Sequence, residues 1–323
     1  MMRAWILRDY GSLELEEQPL PQGEGALLKV VATGICGSDL SVYKGTPAMR
    51  NRWQPPLVLG HEVVGIVEEG PFHLQGRAVA VHPAVPCGSC RECHQGKPHL
   101  CPKRVHLGFH LPGGLAEWIR VPEGQLYPLP PGLPAWKGAL AEPLAVALHG
   151  VKRAGPLPEG EVLVLGGGAM GSLVAWILKR QGAGVVLVEP HKGRVELLVA
   201  LGLADRVLSS LEADTDGFPL VLDTVGSEGT VSQALRASSP GGRVVVLGLG
   251  SLEAPLNLQG LVVGERTLLG SYLFTPEEFS EAVDYLKYLP ENLVKLWPAA
   301  KAQEAFLALL EGRIPEPKVV LLW

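Results

Sequence analysis

No stretch of this 323-residue chain concentrates lysine or arginine, so neither a nucleic-acid backbone nor an anionic membrane surface is an expected partner. The balance is mildly acidic, with 28 basic side chains against 33 acidic ones and a formal charge of −5. Internal repeats and low-complexity tracts are lacking, which leaves a globular reading. The start lacks the apolar core of a signal peptide, because Arg3, Arg8 and Asp9 interrupt it, and a soluble, cytoplasmic protein is expected. An unbroken membrane-length apolar run is missing too. Residues 162–178 carry no charge, but Gly166, Gly167 and Gly168 divide them into a strand, a turn and a helix. Cysteine is scarce: five in all, four of them between positions 87 and 101.

What is present is a globular composition, 47% hydrophobic and 19% charged, with length enough for two domains. The 28 prolines gather in connections such as 128–131 and 156–158, where they lower the entropy of the unfolded chain. Short apolar runs at 161–165, 185–188, 207–208, 220–225, 243–247 and 267–269 alternate with helical stretches near 169–181, 191–201 and 230–237. Strands buried on both faces and joined by helices predict an α/β fold with a doubly wound parallel sheet. Ahead of it, 26–32 and 63–68 are strand-like, with glycine and proline between, which predicts a mostly β domain. The chain ends with helices over 276–288 and 302–310 and a strand over 318–322. That strand could return to the first domain and leave the α/β domain inserted.

Gly166-Gly-Gly168-Ala-Met170-Gly171 fits G-x-G-x-x-G. Glycine triplets occur in many turns, but this one follows a strand and opens a helix. A second strand then ends in Glu189. Backbone N–H groups and the helix N-terminus would meet a pyrophosphate, and Glu189 would accept hydrogen bonds from the adenosine ribose. That carboxylate favours NAD over NADP. His191, Lys192 and Arg194 follow closely, and as cations they could receive a 2′-phosphate instead.

Cys87-x2-Cys90-x2-Cys93-x7-Cys101 has the spacing of a closed tetrahedral zinc site. With no reactive position between the ligands, such a zinc would pin a lobe rather than catalyse. Cys36, in Gly34-Ile-Cys-Gly-Ser-Asp39, is followed by Gly60-His-Glu62 and later by Glu142-Pro143. Taken singly, Cys36 and His61 also read as buried core residues, and Glu142 as a carboxylate at a helix N-terminus.

Together these pieces resemble the zinc-containing medium-chain dehydrogenase/reductases of the alcohol dehydrogenase superfamily, most of all the polyol and sorbitol dehydrogenase branch. The motifs that carry the likeness are 34–39, 60–62, the four-cysteine lobe, Gly113-Gly-Leu-Ala-Glu117, Glu142-Pro143, the glycine turn and Lys318-Val-Val-Leu321. The resemblance implies a GroES-like catalytic domain of 1–138 with 273–323, its structural zinc lobe at 84–104, and an inserted Rossmann domain of 139–272. It implies a catalytic zinc on Cys36, His61 and Glu142, with Glu62 as a transient ligand and Asp39 orienting the histidine. Ser38 would take the proton of an alcohol as hydride passes to the nicotinamide. Cofactor contacts would come from Gly166, Gly168, Met170, Gly171, Glu189 and Arg194.

The implied substrate is a polyol, sugar alcohol or secondary alcohol. Threonine or a short-chain alcohol or diol is the alternative, and a non-catalytic redox sensor is the remote one. Tyr43, Trp53, Phe109 and Trp118 flank motifs of the cleft and could either wall it or serve as packing. A homodimer or homotetramer is implied. Many relatives carry a histidine where this chain has Ser41, so the far end of the proton relay differs.

Overall fold

The computed structural model describes residues 1–212 and 217–323. They form two compact units: Met1–Glu142 with Thr275–Ile314 and Lys318–Trp323, and Pro143–Phe274 with Pro315–Pro317. The changeover therefore falls at Glu142/Pro143 and Phe274/Thr275, against an expected 138/139 and 272/273.

The first unit is built on a seven-stranded sheet in the order Val294–Pro298, Lys318–Leu322, Ala26–Ile35, Glu62–Glu69, Ala78–Val81 and Leu126–Pro128, with Trp118–Val121 also pairing to Ala26–Ile35. Ala26–Ile35 is long enough to share one edge between two partners. Its first half pairs with Trp118–Val121, and Ala32–Ile35 pairs with Leu322–Val319. The N-terminal part of the chain and its last strand thus meet in one mixed sheet, antiparallel except for the pair Val294–Pro298 with Lys318–Leu322. Apolar residues on its faces fill two clusters. One holds Val30, Val63 and Ile119, and the other holds Ile35, Val319, Leu321 and Phe306. The sequence reading missed the hairpin Met2–Asp9 with Ser12–Gln18, the helix Gly37–Lys44, and the short strands Ala78–Val81, Trp118–Val121, Leu126–Pro128 and Val294–Pro298.

The second unit carries a six-stranded sheet whose successive pairs are all parallel. In chain order its strands are Glu161–Leu165, Gly184–Val188, Arg206–Leu208, Phe218–Asp223, Ser238–Val246 and Thr267–Gly270, laid out 3-2-1-4-5-6. That is the Rossmann order, and the order of the strands reverses beside Glu161–Leu165. Leu163, Leu165, Val186, Val221 and Val244 are buried, as strands covered on both faces require. Among the described residues no helix is long and apolar enough to cross a membrane.

Candidate active site

Sheet register brings the chemistry-bearing residues of the first unit together. Gly34 pairs with Glu62 and Ile35 pairs with Val319. Cys36 follows one strand, His61 precedes its neighbour, and Lys318 opens the last, so all converge at one end of three adjacent strands. The sulfur of Cys36, a ring nitrogen of His61 and a carboxylate oxygen of Glu62 lie within 4.8 Å of one another.

Asp39 fixes this arrangement. Cys36 is the N-cap of the helix Gly37–Lys44, and its N–H donates to Asp39 Oδ2 at 2.9 Å. Gly60 N–H donates to Asp39 Oδ1 at 3.3 Å, and the same oxygen faces His61 Nδ1 across 3.4 Å. A carboxylate behind Nδ1 keeps the ring proton there and leaves Nε2 as the donor atom for a metal. Ser38 Oγ stands 3.5 Å from that Nε2. Burial opposes a charged imidazole, but the negative charges of Asp39 and Cys36 outweigh it and hold His61 well above its ordinary range. Burial likewise works against the Asp39 carboxylate, yet His61 and the two N–H donors hold it below its usual value. Ser41 turns its hydroxyl back onto its own helix, donating to Gly37 O at 3.0 Å.

Glu62 is completely buried. One of its oxygens accepts from Lys318 Nζ, which also donates to Ile35 O at 3.0 Å. Its other oxygen, Oε2, has no hydrogen-bond partner among the described residues. A buried carboxylate oxygen beside a thiol and an imidazole, with no donor of its own, is matched by a cation, and the Cys/His/Glu donor set suits Zn2+. The opposite strand makes room for it, because a Cβ at Gly34 would stand 1.9 Å from that oxygen. Of the two candidate carboxylates, Glu62 is therefore the one grouped with Cys36 and His61. Glu142, at the start of the helix Ala141–Arg153, lies outside that set but is also buried. Burial pushes its carboxyl up to about 7. The charge of His61 opposes that rise, and those of Glu62 and Asp39 add to it.

Aromatic rings wall the same place. Phe109 lies 5.1 Å and His106 5.3 Å from the His61 ring, and Trp53 stacks on Phe109 at 4.7 Å. Tyr43 belongs elsewhere, buried against Phe306 at 5.3 Å, and Trp118 sits in a strand paired to Ala26–Ile35. Lys318 and His106 had no role assigned from sequence. The signal for Lys318 was a charge opening an otherwise apolar strand; for His106 there was none.

Cys87, Cys90, Cys93 and Cys101 form a second cluster, their sulfurs within 4.8 Å of one another, and none of the five cysteines is in a disulfide. The strand pair Ala84–Val85 and Val105–His106 closes the base of this lobe. The N–H and hydroxyl of Ser89 bring the Cys87 thiol down to about 6. At Cys90 the N–H of Cys93 favours the thiolate, but burial and the neighbouring sulfurs push it up to about 12. Four sulfurs this close cannot all ionise unless a cation stands among them, which is the condition a structural zinc meets.

In the second unit the glycine turn follows Glu161–Leu165 and opens the helix Ala169–Arg180, with Met170 in its first turn. Gly166 takes a positive φ of 93°, and a Cβ on Gly171 would stand 1.7 Å from Gly166 O. Gly168 faces open space, which leaves the backbone free for a pyrophosphate to approach. Glu189 is buried at the end of the next strand. Its Oε2 accepts from Gly167 N–H at 2.9 Å and from Arg194 at 3.0 Å, and its Oε1 accepts from His191 N–H at 2.8 Å. A carboxylate offers about four acceptor positions, so these three leave room for one hydroxyl.

Comparison with known proteins agrees with both halves. The family model described as "Alcohol dehydrogenase GroES-like domain" matches residues 22–131, and "Zinc-binding dehydrogenase" matches 169–287. An L-threonine 3-dehydrogenase of Caldanaerobacter subterraneus subsp. tengcongensis is 34% identical over 262 residues, covering 77% of this chain and 75% of the relative. The L-galactonate-5-dehydrogenase of Escherichia coli K12 is 32% identical over 278 residues, covering 82% and 81%. A crystal structure of a short chain alcohol dehydrogenase from E. coli CFT073, complexed with cofactor NADH, superposes with a TM-score of 0.90 at 26% identity, covering 100% of this chain and 99% of that one.

Proposed function

The chain belongs to the zinc-dependent alcohol dehydrogenases of the medium-chain dehydrogenase/reductase superfamily, and from that premise we propose that it oxidises a secondary hydroxyl of a polyol or sugar-derived alcohol, with NAD preferred over NADP. Threonine is the competing substrate, since both kinds of dehydrogenase occur among its relatives. The observation that carries the reading is the convergence of Cys36, His61 and Glu62 within 4.8 Å, with Asp39 behind the histidine. A redox sensor has no use for a buried donor set with Ser38 beside it.

Cys36, His61 and a carboxylate would hold the zinc, which would supply a Lewis acid for the alcohol oxygen, and NAD on the glycine turn would supply the hydride acceptor. Ser38 takes the proton as the hydroxyl ionises. Asp39 keeps His61 in the tautomer that presents Nε2, and Lys318 fixes one oxygen of Glu62 while Oε2 keeps no hydrogen-bond partner among the described residues. Glu142 is the second carboxylate within reach of an exchange. A carbonyl compound, a reduced cofactor and one proton result. Cys87, Cys90, Cys93 and Cys101 would hold a second zinc, with a structural role. The preference for NAD rests on Glu189, whose charge repels a 2′-phosphate at the ribose. Arg194 is already engaged by that carboxylate.

We place the protein in the cytoplasm, in keeping with five unpaired cysteines. We read it as a homo-oligomer, because the parallel sheet ends in an edge strand beside exposed leucines and valines. The deciding experiment follows absorbance at 340 nm over sorbitol, xylitol, 2,3-butanediol and threonine with each cofactor. NADH should form with at least one polyol, and Cys36→Ser should abolish it and release one of two zincs while the thermal transition holds. Full activity in Cys36→Ser would reject the assignment.

A further inference from the structure

The rings beside His61 end in positive charge. Outward from the donor set, Phe109 contacts His61 at 5.1 Å, Trp53 stacks on Phe109 at 4.7 Å with 29° between planes, and His110 meets Trp53 edge-on at 5.9 Å. The guanidinium of Arg52 lies over the Trp53 ring, 5.2 Å from its centroid. Arg104, in the same segment as His106 and His110, donates to Cys101 O at 2.9 Å, and its charge is felt at His110. His110, on the exposed side, is held below the ordinary imidazole range, first by desolvation and then by the charges of Arg104 and Arg52. Arg52 makes no ion pair among the described residues.

The fold thus sets a guanidinium at one end of an aromatic wall without an acid paired to it among the described residues, and beside a histidine that is held uncharged. A cation stacked on an indole is held in place and keeps its N–H fork available. Such a fork meets a carboxylate or a phosphate through two parallel charge-assisted hydrogen bonds. The other end of the wall is His61, where the reacting hydroxyl would sit.

We propose that the alcohol taken at this site carries an anionic group, a carboxylate or a phosphate, which Arg52 and Arg104 receive while the hydroxyl reaches the metal. The assignment rests on reading Cys36 and His61 as the reacting centre. Arg52 and Arg104 are then specificity residues that touch the non-reacting end of the substrate, and an uncharged polyol is the poorer member of any matched pair.

The test compares kcat/KM for sets that share a carbon chain and differ in charge: sorbitol, gluconate and sorbitol 6-phosphate; xylitol and xylonate; threoninamide and threonine. In at least one set the member that carries the carboxylate or phosphate should exceed the member without it tenfold or more, and the carboxylate and phosphate arms separate the two anions. Arg52→Gln should collapse that ratio at least fivefold. Arg52→Lys should recover part of it, which a merely misfolded variant would not do. Raising sodium chloride from about 0.05 to 0.5 M should also shrink the ratio. Turnover with no charge preference in any set overturns this inference alone. A preference untouched by Arg52→Gln overturns the role of Arg52. No turnover of any alcohol by zinc-loaded enzyme overturns the dehydrogenase reading as well.

Discussion

Glu62 is held between a lysine that pairs with it and a donor set that leaves one of its oxygens unsatisfied. Both partners of the Lys318–Glu62 pair are buried, at 5% and 0% side-chain exposure. Burial alone would lower the lysine's pKa, but Glu62, Cys36 and Glu142 raise it. Removing one member of a buried pair strands the other charge and typically costs about 3–5 kcal/mol. Lys318→Met should therefore destabilise by roughly 3 kcal/mol in denaturant unfolding. Lys318→Met with Glu62→Gln should regain a good part of the loss, because no charge is then stranded. Equal losses in the single and double variants would mean that the lysine packs rather than pairs. Sequence alone showed which residue types could form the site, since Cys36, His61, Glu62 and Asp39 lie in short, recognisable runs. It did not show that Lys318 answers Glu62, because that contact spans 256 positions and depends on sheet register.

At the scale of elements, legibility followed burial pattern. The strands 161–165, 185–188 and 243–247 were visible because both faces are covered and the apolar run is continuous. The helix Gly37–Lys44 was hidden, because it turns a carboxylate, Asp39, inward with Val42 and Tyr43 and so breaks the apolar spacing that marks a helix. The hairpin Met2–Asp9/Ser12–Gln18 was hidden because glutamates crowd its second strand. The cysteine lobe was legible by spacing alone, since its helix Arg91–His94 has only four residues and buries none of them. So short an element has little to hold it but the metal. Chelation should therefore separate the two sites: the donor set with an open position should lose zinc first, with activity gone and the melting temperature nearly unchanged. Cys93→Ala should instead lower the melting temperature by several degrees or prevent recovery of folded protein. Release of both zincs in one step with a common loss of stability would contradict the division into an open site and a closed one.

For the whole molecule, the return of Lys318–Leu322 to Ala32–Ile35 makes the first unit from both ends of the chain, while the second is one segment plus 315–317. The second unit has an unprotected margin. Thr267–Gly270 has a single strand partner, Ser238–Val246, among the described residues, and edge strands of this kind invite pairing. The segment leading to it exposes Leu252, Leu258, Val262 and Val263 at 78, 64, 72 and 79%. Soluble monomers seldom leave so many apolar side chains together in water, and a two-fold interface would cover them with a second copy. Light scattering should thus return a multiple of the 34.4 kDa chain mass at micromolar concentration. Val263→Glu should shift it toward the single chain, because a carboxylate buried without a partner weakens association by several kcal/mol. Leu307→Glu, on the first unit and 38% exposed, serves as the control and should leave the mass unchanged. A wild-type monomer, or a Val263→Glu protein of unaltered mass, would place the contact elsewhere and leave the apolar margin without a partner.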